Sequence, residues 1–221
     1  MIRLNKYLAT NTGISRREAD ELISTGKVRV NGSVVPLGAQ INPQKDRVTV
    51  RGRSVNVLAK FTTVILNKPE GYVSSRNGQG RPTIYDLLPP EYRQLKSVGR
   101  LDQNSSGLLL LTNDGDLAHS LTHPGFAKVK IYEARLDKPL EPLHVQMIAD
   151  FGIDLADGKS QLGLEKLDDE AVEWRVIMSE GRNRQIRRTF KALGYDVLRL
   201  HRTDFGPYRL GDLESGSTKI A

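Results

Sequence analysis

The sequence predicts a globular protein of two domains that combines helices and strands. The chain has 221 residues, 38% of them hydrophobic, which is enough for one large or two smaller cores. Its formal net charge of +7 lies entirely in residues 1–60, which hold 11 Lys and Arg against 4 Asp and Glu. This asymmetry indicates that the first 60 residues are a separate electrostatic unit. Helical spacing dominates the start of the chain, and short apolar runs typical of buried strands follow it.

Two short helices are predicted at the start. Arg3 to Thr10 places apolar residues on one face, and Gly13 ends this helix. Ser15 to Glu18 has the spacing of a capping box, in which the first and last side chains satisfy free backbone groups at a helix start. The second helix therefore begins there and ends at Gly26.

A hairpin follows the helices. Val28 to Val30 and Val34-Val35 flank Asn31-Gly32, a turn dipeptide that tolerates positive φ angles. Val48 and Val50 alternate as in another strand. Beyond them, residues 51–60 are predicted to be a linker.

The second part of the chain starts with a predicted strand, Phe61 to Asn67, which Lys68-Pro69 ends. The polar loop Tyr72 to Pro82 is either an RNA-facing flap or a surface loop without a role. Lys128 to Leu136 alternates as a strand, with Lys130 and Tyr132 on the same face. The acidic stretch from Asp150 to Glu173 is interpreted as a solvated connection.

The loop Gly99 to Gly107 holds the first candidate for chemistry. Its sequence, GRLDQNSSG, puts the carboxylate of Asp102 beside an arginine and leads into the apolar run Leu108 to Leu111. A buried strand can hold such a loop rigidly. The alternative is that Asp102 only caps a turn.

Four arginines lie close together in Gly181 to Arg188, just before a short helix predicted over Thr189 to Leu193. Such a cluster usually forms a basic surface, and basic surfaces attract phosphodiester backbones. For the whole chain, a basic surface that only keeps the protein soluble is the alternative.

Several classes of function are not expected. The chain has no cysteine, so disulfides, thiol nucleophiles and Cys-ligated zinc are excluded. His119 and His123 have a metal-ligand spacing, but Pro124 follows them and no Glu lies between them, so no metal is expected. No Gly-rich phosphate fingerprint, signal peptide or membrane-spanning run is visible, so we expect no nucleotide cofactor and a cytoplasmic location.

Three ordered motifs carry a resemblance to a known family. The run GRLD, two variable residues and SSGLLLLTNDG resembles the catalytic motif of the RsuA branch of the ribosomal RNA pseudouridine synthases. Lys130-Ile131-Tyr132 and Glu180 to Arg188 match the same family in the right order. The N-terminal segment resembles the S4-like RNA-binding domain that precedes many of these enzymes.

The resemblance implies an α+β fold: an S4-like domain over residues 1–50, a linker over 51–60, and a catalytic domain over 61–221 with a mixed, mostly antiparallel sheet. It also implies an isomerase that converts a uridine in ribosomal RNA to pseudouridine without cofactor or metal. The main alternative is a catalytically idle RNA-binding or ribosome-assembly factor of the same fold.

The family's site residues map onto this chain as follows. Asp102 matches the catalytic carboxylate, acting as nucleophile or base. Tyr132 matches the tyrosine that packs against the target base and is a candidate proton acceptor. Arg187 matches an arginine that forms a buried pair with that carboxylate. Residues expected to bind substrate RNA are Arg100, which would hold open the space left by the flipped base, and Lys130, Arg182, Arg184, Arg188, Arg16, Arg17, Lys27 and Arg29.

The expected partner is ribosomal RNA or a pre-ribosomal particle, bound by a monomer. The Asn-Arg-Gln-Ile-Arg form of residues 183–187 favours the large ribosomal subunit.

Overall fold

The computed structural model describes residues 1–57 and 61–221, and it contains two compact units. The first comprises Met1–Thr62 with Asn113–Gly115, and the second comprises Thr63–Thr112 with Asp116–Ala221. Residues 58–60 of the predicted linker lie outside the described residues.

The first unit combines two helices with short strands. In chain order they are β1 Ile2–Arg3, α1 Leu4–Thr12, α2 Arg16–Ser24, β2 Val28–Val30, β3 Ser33–Val34, β4 Gln40–Ile41, β5 Val48–Val50 and β6 Arg53–Ser54. Four of the strands form an antiparallel sheet in the order β3-β2-β5-β6, and β1 pairs with β4. The sheet of this unit therefore extends into the stretch predicted as a linker.

The local signals of the first unit are confirmed. The Ser15 and Glu18 side chains form a reciprocal capping box at the start of α2, and Gly13 ends α1 in the left-handed conformation. The β2–β3 turn has positive φ at both Asn31 (51°) and Gly32 (87°), as a two-residue hairpin requires. Leucines of α1 and valines of β2 and β5 pack into one small core.

The second unit contains most of the regular structure. Its elements are β7 Thr63–Lys68, α3 Ile84–Leu87, β8 Lys96–Val98, β9 Ser106–Thr112, α4 Gly115–Thr122, β10 Lys130–Leu136, α5 Pro142–Gln146, β11 Ile153–Leu155, β12 Gly158–Ser160, β13 Gly163–Lys166, β14 Glu173–Met178, α6 Gln185–Ala192, β15 Val197–Phe205, β16 Tyr208–Arg209 and β17 Thr218–Ile220. Short 3₁₀ turns cover Pro90–Tyr92 and Pro124–Phe126, and a π-helical turn, Met147–Phe151, follows α5.

Nine of these strands form one mixed sheet. Its main order is β13-β14-β10-β15-β9-β7-β17, with β16 paired to β15 and β8 to β9. The β9–β15 pair is parallel, and the other pairs of this sheet are antiparallel. Helices accompany the sheet, so the predicted α+β class with a mostly antiparallel sheet is confirmed.

Two predictions about the second unit are wrong. The acidic stretch Asp150 to Glu173 is not merely a connection, because it contains the β11–β12 hairpin and the edge strand β13. Helix α6 begins at Gln185 rather than Thr189, so Arg187 and Arg188 lie on its first turn. The buried residues Ile186, Thr189 and Phe190 recur at helical spacing and explain the earlier start.

Candidate active site

A cleft of about 540 Å³ opens in the second unit, where the start of β10 meets the ends of β14 and β15. Residues from five segments line it: the loop Gly99 to Ser105, the end of α4 with His123, the start of β10, the segment Met178 to Arg187, and β15. The three motifs identified in the sequence therefore meet at one cleft. Asp102, Tyr132, Arg184 and Arg187 all belong to its lining.

A buried lysine fixes the loop that carries Asp102. Lys68, the last residue of β7, is 0% exposed. Its ammonium donates to the carbonyl oxygens of Pro69 (2.9 Å), Asp102 (3.1 Å) and Ser105 (2.7 Å). All three donors of the ammonium are thus used on main-chain acceptors, two of them in the loop of the candidate carboxylate.

Burial lowers the pKa of Lys68 to about 8, although the charges of Glu70 and Asp102 oppose that shift. This residue was missed as a site residue by the sequence interpretation. One sequence signal points to this residue: Lys68 lies between the end of an apolar strand and a proline. A lysine at a strand end is ordinarily expected to be exposed to solvent.

Tyr132 and Lys130 lie on the face of β10 that the alternation predicts. Tyr132 is buried, and Ala134 and Leu136 on the same face are buried too. Lys130 is half-buried and donates to the Glu180 carbonyl oxygen at 3.0 Å. Burial is the main reason that its pKa is lowered, and the nearby charge of Arg202 adds to the effect.

Arg202 is a second cation that the sequence interpretation missed. It lies on β15, is 2% exposed and forms part of the cleft lining. Its Nε donates to the Leu108 carbonyl oxygen at 2.7 Å, and its Nη1 lies 3.5 Å from the Tyr132 hydroxyl. The guanidinium carbon stands 4.9 Å from the centre of the Phe205 ring.

The cation nearest the Asp102 carboxylate differs from the one predicted. Arg184 Nη1 lies 3.6 Å from Asp102 Oδ2 and donates to the Asn104 side-chain oxygen at 3.1 Å. Both partners of this ion pair are partly exposed, at 43% for Arg184 and 36% for Asp102. Arg184 has a left-handed backbone (φ 47°, ψ 33°) as the N-cap of α6. It sits at the helix start, facing the Asp102 loop.

The predicted buried pair of Arg187 with Asp102 is not formed in this structure: among residues 1–57 and 61–221, the ion pair of Asp102 is with Arg184. The Arg187 guanidinium instead donates to the carbonyl oxygens of Val197 and Asn104, because its position on the first turn of α6 brings it between β15 and the Asp102 loop. Burial is the largest influence on Arg187 and lowers its pKa, an effect that Arg184 reinforces and Asp102 opposes.

Arg182 and Arg188, predicted to bind phosphates, already have acidic partners. Arg188 makes a two-point contact with the Asp157 carboxylate at 2.9 and 2.7 Å. Arg182 donates to the same carboxylate at 3.0 Å and to the Gly158 and Lys159 carbonyl oxygens. The hydrogen bond from Arg188 is the main reason that the pKa of Asp157 is lowered. The acidic stretch thus supplies a counterion that ties the β11–β12 hairpin to the third motif.

A second cleft, of about 720 Å³, is also lined by the Asp102 loop. Arg100, Asp102 and Arg184 line both clefts. The polar loop predicted over Tyr72 to Pro82 contributes to its wall, and Arg81 in that loop donates to the Gln103 side chain at 2.9 Å.

The four basic residues predicted to bind RNA in the first unit are all exposed: Arg16, Arg17, Lys27 and Arg29. The Arg16 side chain reaches Asn5 at 3.4 Å, and that of Arg29 donates to the Gly32 carbonyl oxygen at 2.9 Å. Within the described part of the chain, the Arg17 and Lys27 side chains show no hydrogen bond or ion pair.

The described residues, 1–57 and 61–221, contain no cluster of three or more His, Cys, Asp or Glu side chains able to hold a metal ion. In the same residues, no helix has the length and apolar character needed to cross a membrane.

Comparison with known proteins agrees with the motifs. Residues 62–192 match the family model for RNA pseudouridylate synthase, and residues 2–45 match the model for the S4 domain. Ribosomal large subunit pseudouridine synthase B of Bacillus subtilis is 36% identical over 227 residues, covering 99% of this chain and 91% of the relative. Ribosomal small subunit pseudouridine synthase A of Pasteurella multocida is 38% identical over 215 residues, covering 96% and 91%.

A solved structure is similar over the whole length. The crystal structure of a pseudouridylate synthase has a TM-score of 0.71 and 34% sequence identity, and the match covers 100% of this chain and 96% of that one. The family match spans more than half of the residues and includes all three motifs of the cleft. The chain belongs to the RNA pseudouridylate synthase family, in its RsuA branch, with an N-terminal S4 domain.

Proposed function

We propose that this protein converts one uridine of ribosomal RNA into pseudouridine, with Asp102 as the catalytic carboxylate. The observation that carries the proposal is the position of that carboxylate in the lining of two clefts, on a loop that the buried Lys68 holds at the carbonyl oxygens of Asp102 and Ser105. A carboxylate held in this way needs little reorganisation when a substrate arrives.

The reaction breaks the bond between ribose C1′ and uracil N1 and forms a bond between C1′ and uracil C5. The proton on C5 is lost and N1 gains one, so the reaction is an isomerisation that needs no oxidant and no second substrate. Asp102 acts on the ribose or the uracil as nucleophile or base. Tyr132 forms the flat, buried surface against which the target base packs, and it is the candidate proton acceptor.

Arg184 and Arg187 have different tasks in this scheme. Arg184 lies 3.6 Å from the carboxylate and forms an ion pair with it. Arg187 is a positioning residue, since it links the Asn104 carbonyl of the Asp102 loop to β15. Arg182 and Arg188 hold the third motif against Asp157, which leaves Arg184 and Lys130 as the residues of this region nearest to the entering RNA.

The target nucleotide has to leave its helix to reach Asp102, because the carboxylate lies on a cleft wall and not on a projecting tip. Arg100 is exposed and lines both clefts, which suits the task of holding open the space that the base vacates. Arg16, Arg17, Lys27 and Arg29 of the S4 domain grip RNA phosphates.

The relatives support ribosomal RNA as the substrate, and one sequence feature favours the large subunit. The relatives include synthases named for the large and for the small ribosomal subunit. Residues 183–187 read Asn-Arg-Gln-Ile-Arg, the form that favours the large subunit. One chain supplies every residue of the proposed site, which supports action as a monomer on cytoplasmic ribosomal RNA or a pre-ribosomal particle.

The test is to map pseudouridines in both ribosomal RNAs from cells without the gene. The cells are complemented with the wild type, Asp102→Asn, or Asp154→Asn as a matched control at an exposed carboxylate on β11. We expect one pseudouridine of the large subunit to return with the wild type and the control only. The purified Asp102→Asn variant should lose at least about 1000-fold in rate. An unchanged pattern without the gene would support the idle RNA-binding alternative instead.

A further inference from the structure

Arg202 is a buried guanidinium whose hydrogen bonding is incomplete. Its Nε and Nη1 have the partners described above, but within residues 1–57 and 61–221 its terminal nitrogen Nη2 has none. Neither of its partners is a carboxylate, because one is a main-chain carbonyl and the other a phenol. Nη2 has almost no accessible surface, so bulk water does not satisfy it, and a ligand in the cleft reaches it only when the side chain turns slightly.

Other arginines of the cleft differ in the nitrogen that they leave unpaired. Arg187 and Arg182 also have an unpartnered nitrogen, but in both it is Nε, and both terminal nitrogens donate to protein acceptors. In Arg202 a terminal nitrogen is free. An unpaired buried donor destabilises the folded state, and such groups are found where a ligand completes them.

The backbone under Arg202 is held in place by the parallel strand pair. Arg202 is in register with Gly107 of β9, and a Cβ at Gly107 would stand 2.2 Å from the Arg202 carbonyl oxygen. The strands therefore meet at a distance that only glycine permits, and the guanidinium projects from a rigid part of the sheet. A fixed cation of this kind is suited to stabilising charge that develops in a transition state.

The neighbours of Arg202 indicate what its ligand is. Tyr132, against which the target base packs in the proposed function, lies next to it, with the guanidinium carbon 5.9 Å from the tyrosine ring centre. A residue that is 2% exposed on the cleft floor meets the base and not the RNA phosphates outside. Uracil has two carbonyl oxygens on its edge, and both accept hydrogen bonds.

We propose that Nη2 of Arg202 donates a hydrogen bond to a carbonyl oxygen of the target uracil and makes Arg202 a further catalytic residue. When the C1′–N1 bond breaks heterolytically, its electron pair remains on the uracil and spreads over N1, O2 and O4. The cation stabilises this negative charge until C5 attacks C1′, which leaves the uracil neutral, and transfer of the C5 proton to N1 then completes the isomerisation.

This inference rests on the proposed function, and its test uses the RNA segment that the mapping experiment identifies. Synthetic RNAs carry uridine, 2-thiouridine or 4-thiouridine at the target position, because sulfur is a poorer hydrogen-bond acceptor than oxygen. Single-turnover rates are measured for the wild type, Arg202→Met, Arg202→Lys, and Arg199→Met as a matched control on an exposed part of β15.

With uridine RNA, we expect Arg202→Met to slow isomerisation about 10- to 100-fold, with RNA binding changed less than about twofold, as for the loss of a charge-assisted hydrogen bond. One of the two thio substitutions should slow the wild type and Arg199→Met but not Arg202→Met, because that variant no longer makes the contact. If Arg202→Met does not fold, Arg202→Lys serves for the same comparison, since lysine lacks Nη2.

Thio effects of the same size in the wild type and the Arg202 variants would overturn the inference, whatever the size of the rate loss. Loss of RNA affinity without loss of single-turnover rate would assign Arg202 to a phosphate instead and overturn it as well. Failure of the proposed function is a separate result, because then the wild type forms no pseudouridine in the uridine RNA.

Discussion

The basic side chains of the two units differ in what they contact. In the S4 unit, Arg17 and Lys27 extend into solvent, and their side chains have no partner in the described part of the chain. In the catalytic unit, Lys68 and Arg202 are buried, Arg187 is half-buried, and all three donate to main-chain carbonyl oxygens. Both sets contribute equally to a count of charges. The two sets have different roles. The exposed side chains can release counterions from RNA, whereas the interior side chains hold loops and strands in place.

This difference predicts three outcomes of decreasing size, two for interior cations, which depend on shape and burial, and one for surface cations, which depend only on charge.

The largest effect is expected at Arg187. Arg187→Lys keeps the charge but cannot reach the Val197 and Asn104 carbonyl oxygens at once, because a lysine lacks the planar fork. The Asp102 loop should shift, and single-turnover isomerisation should fall by about 100-fold, the cost of misplacing a catalytic group by roughly 1 Å. Arg199→Lys, at an exposed position of β15, is the control and should match the wild type. A fully active Arg187→Lys would mean that only its charge matters.

An intermediate effect is expected from the titration of Lys68. Its pKa is about 8 in the folded protein against 10.5 ordinarily, because burial disfavours the ammonium. Between these values the unfolded chain binds more protons than the folded one, so the free energy of unfolding should rise with pH, by at most about 1.4 kcal/mol per pH unit. Below pH 8 the contribution of this group is flat.

The measurement is denaturant unfolding followed by the fluorescence of Trp174, the one tryptophan of the chain, which lies in the core of the second unit. The free energy of unfolding of the wild type minus that of Lys68→Met should increase as the pH rises above 8. Lys166→Met, at an exposed position of β13, should show a constant difference. Parallel pH profiles for the two variants would contradict the burial of a charged Lys68.

The smallest effect is expected on the surface of α2. The double substitution Arg16→Gln and Arg17→Gln should weaken RNA binding several-fold at low salt and reduce the slope of log affinity against log salt by about 0.9 per lost phosphate contact. Arg51→Gln with Arg53→Gln removes the same charge elsewhere in this unit and is the control. Equal slopes for the two double variants would show that net charge, and not the α2 surface, binds RNA.

Local signals in the sequence predicted local structure well. The capping box at Ser15, the Asn31-Gly32 hairpin turn and the alternation along β10 all depend on neighbouring residues, and the structure confirms them. The order of the motifs also predicted that Asp102 and Tyr132 belong to one site, and both line the same cleft.

Contacts between distant segments were harder to predict. The partner of each arginine in residues 182–188 depends on where α6 begins and on the β11–β12 hairpin, which an acidic composition does not reveal. The burial of Lys68 and Arg202 depends on strand pairing far along the chain, and charged residues are ordinarily expected at the surface. Sequence patterns thus identified the motifs and not the hydrogen bonds that hold them.

The parallel pairing of β9 with β15 also sets an order of events during protein synthesis. It joins Ser106 to His201 and Gly107 to Arg202, nearly a hundred positions apart. The core of the first unit, by contrast, is built from residues within the first 50 or so positions. While the ribosome is still translating the message, the nascent chain can already hold a folded RNA-binding unit, but the cleft cannot close until β15 has emerged from the exit tunnel. The RNA-binding unit of the nascent enzyme can therefore fold before its active-site cleft forms.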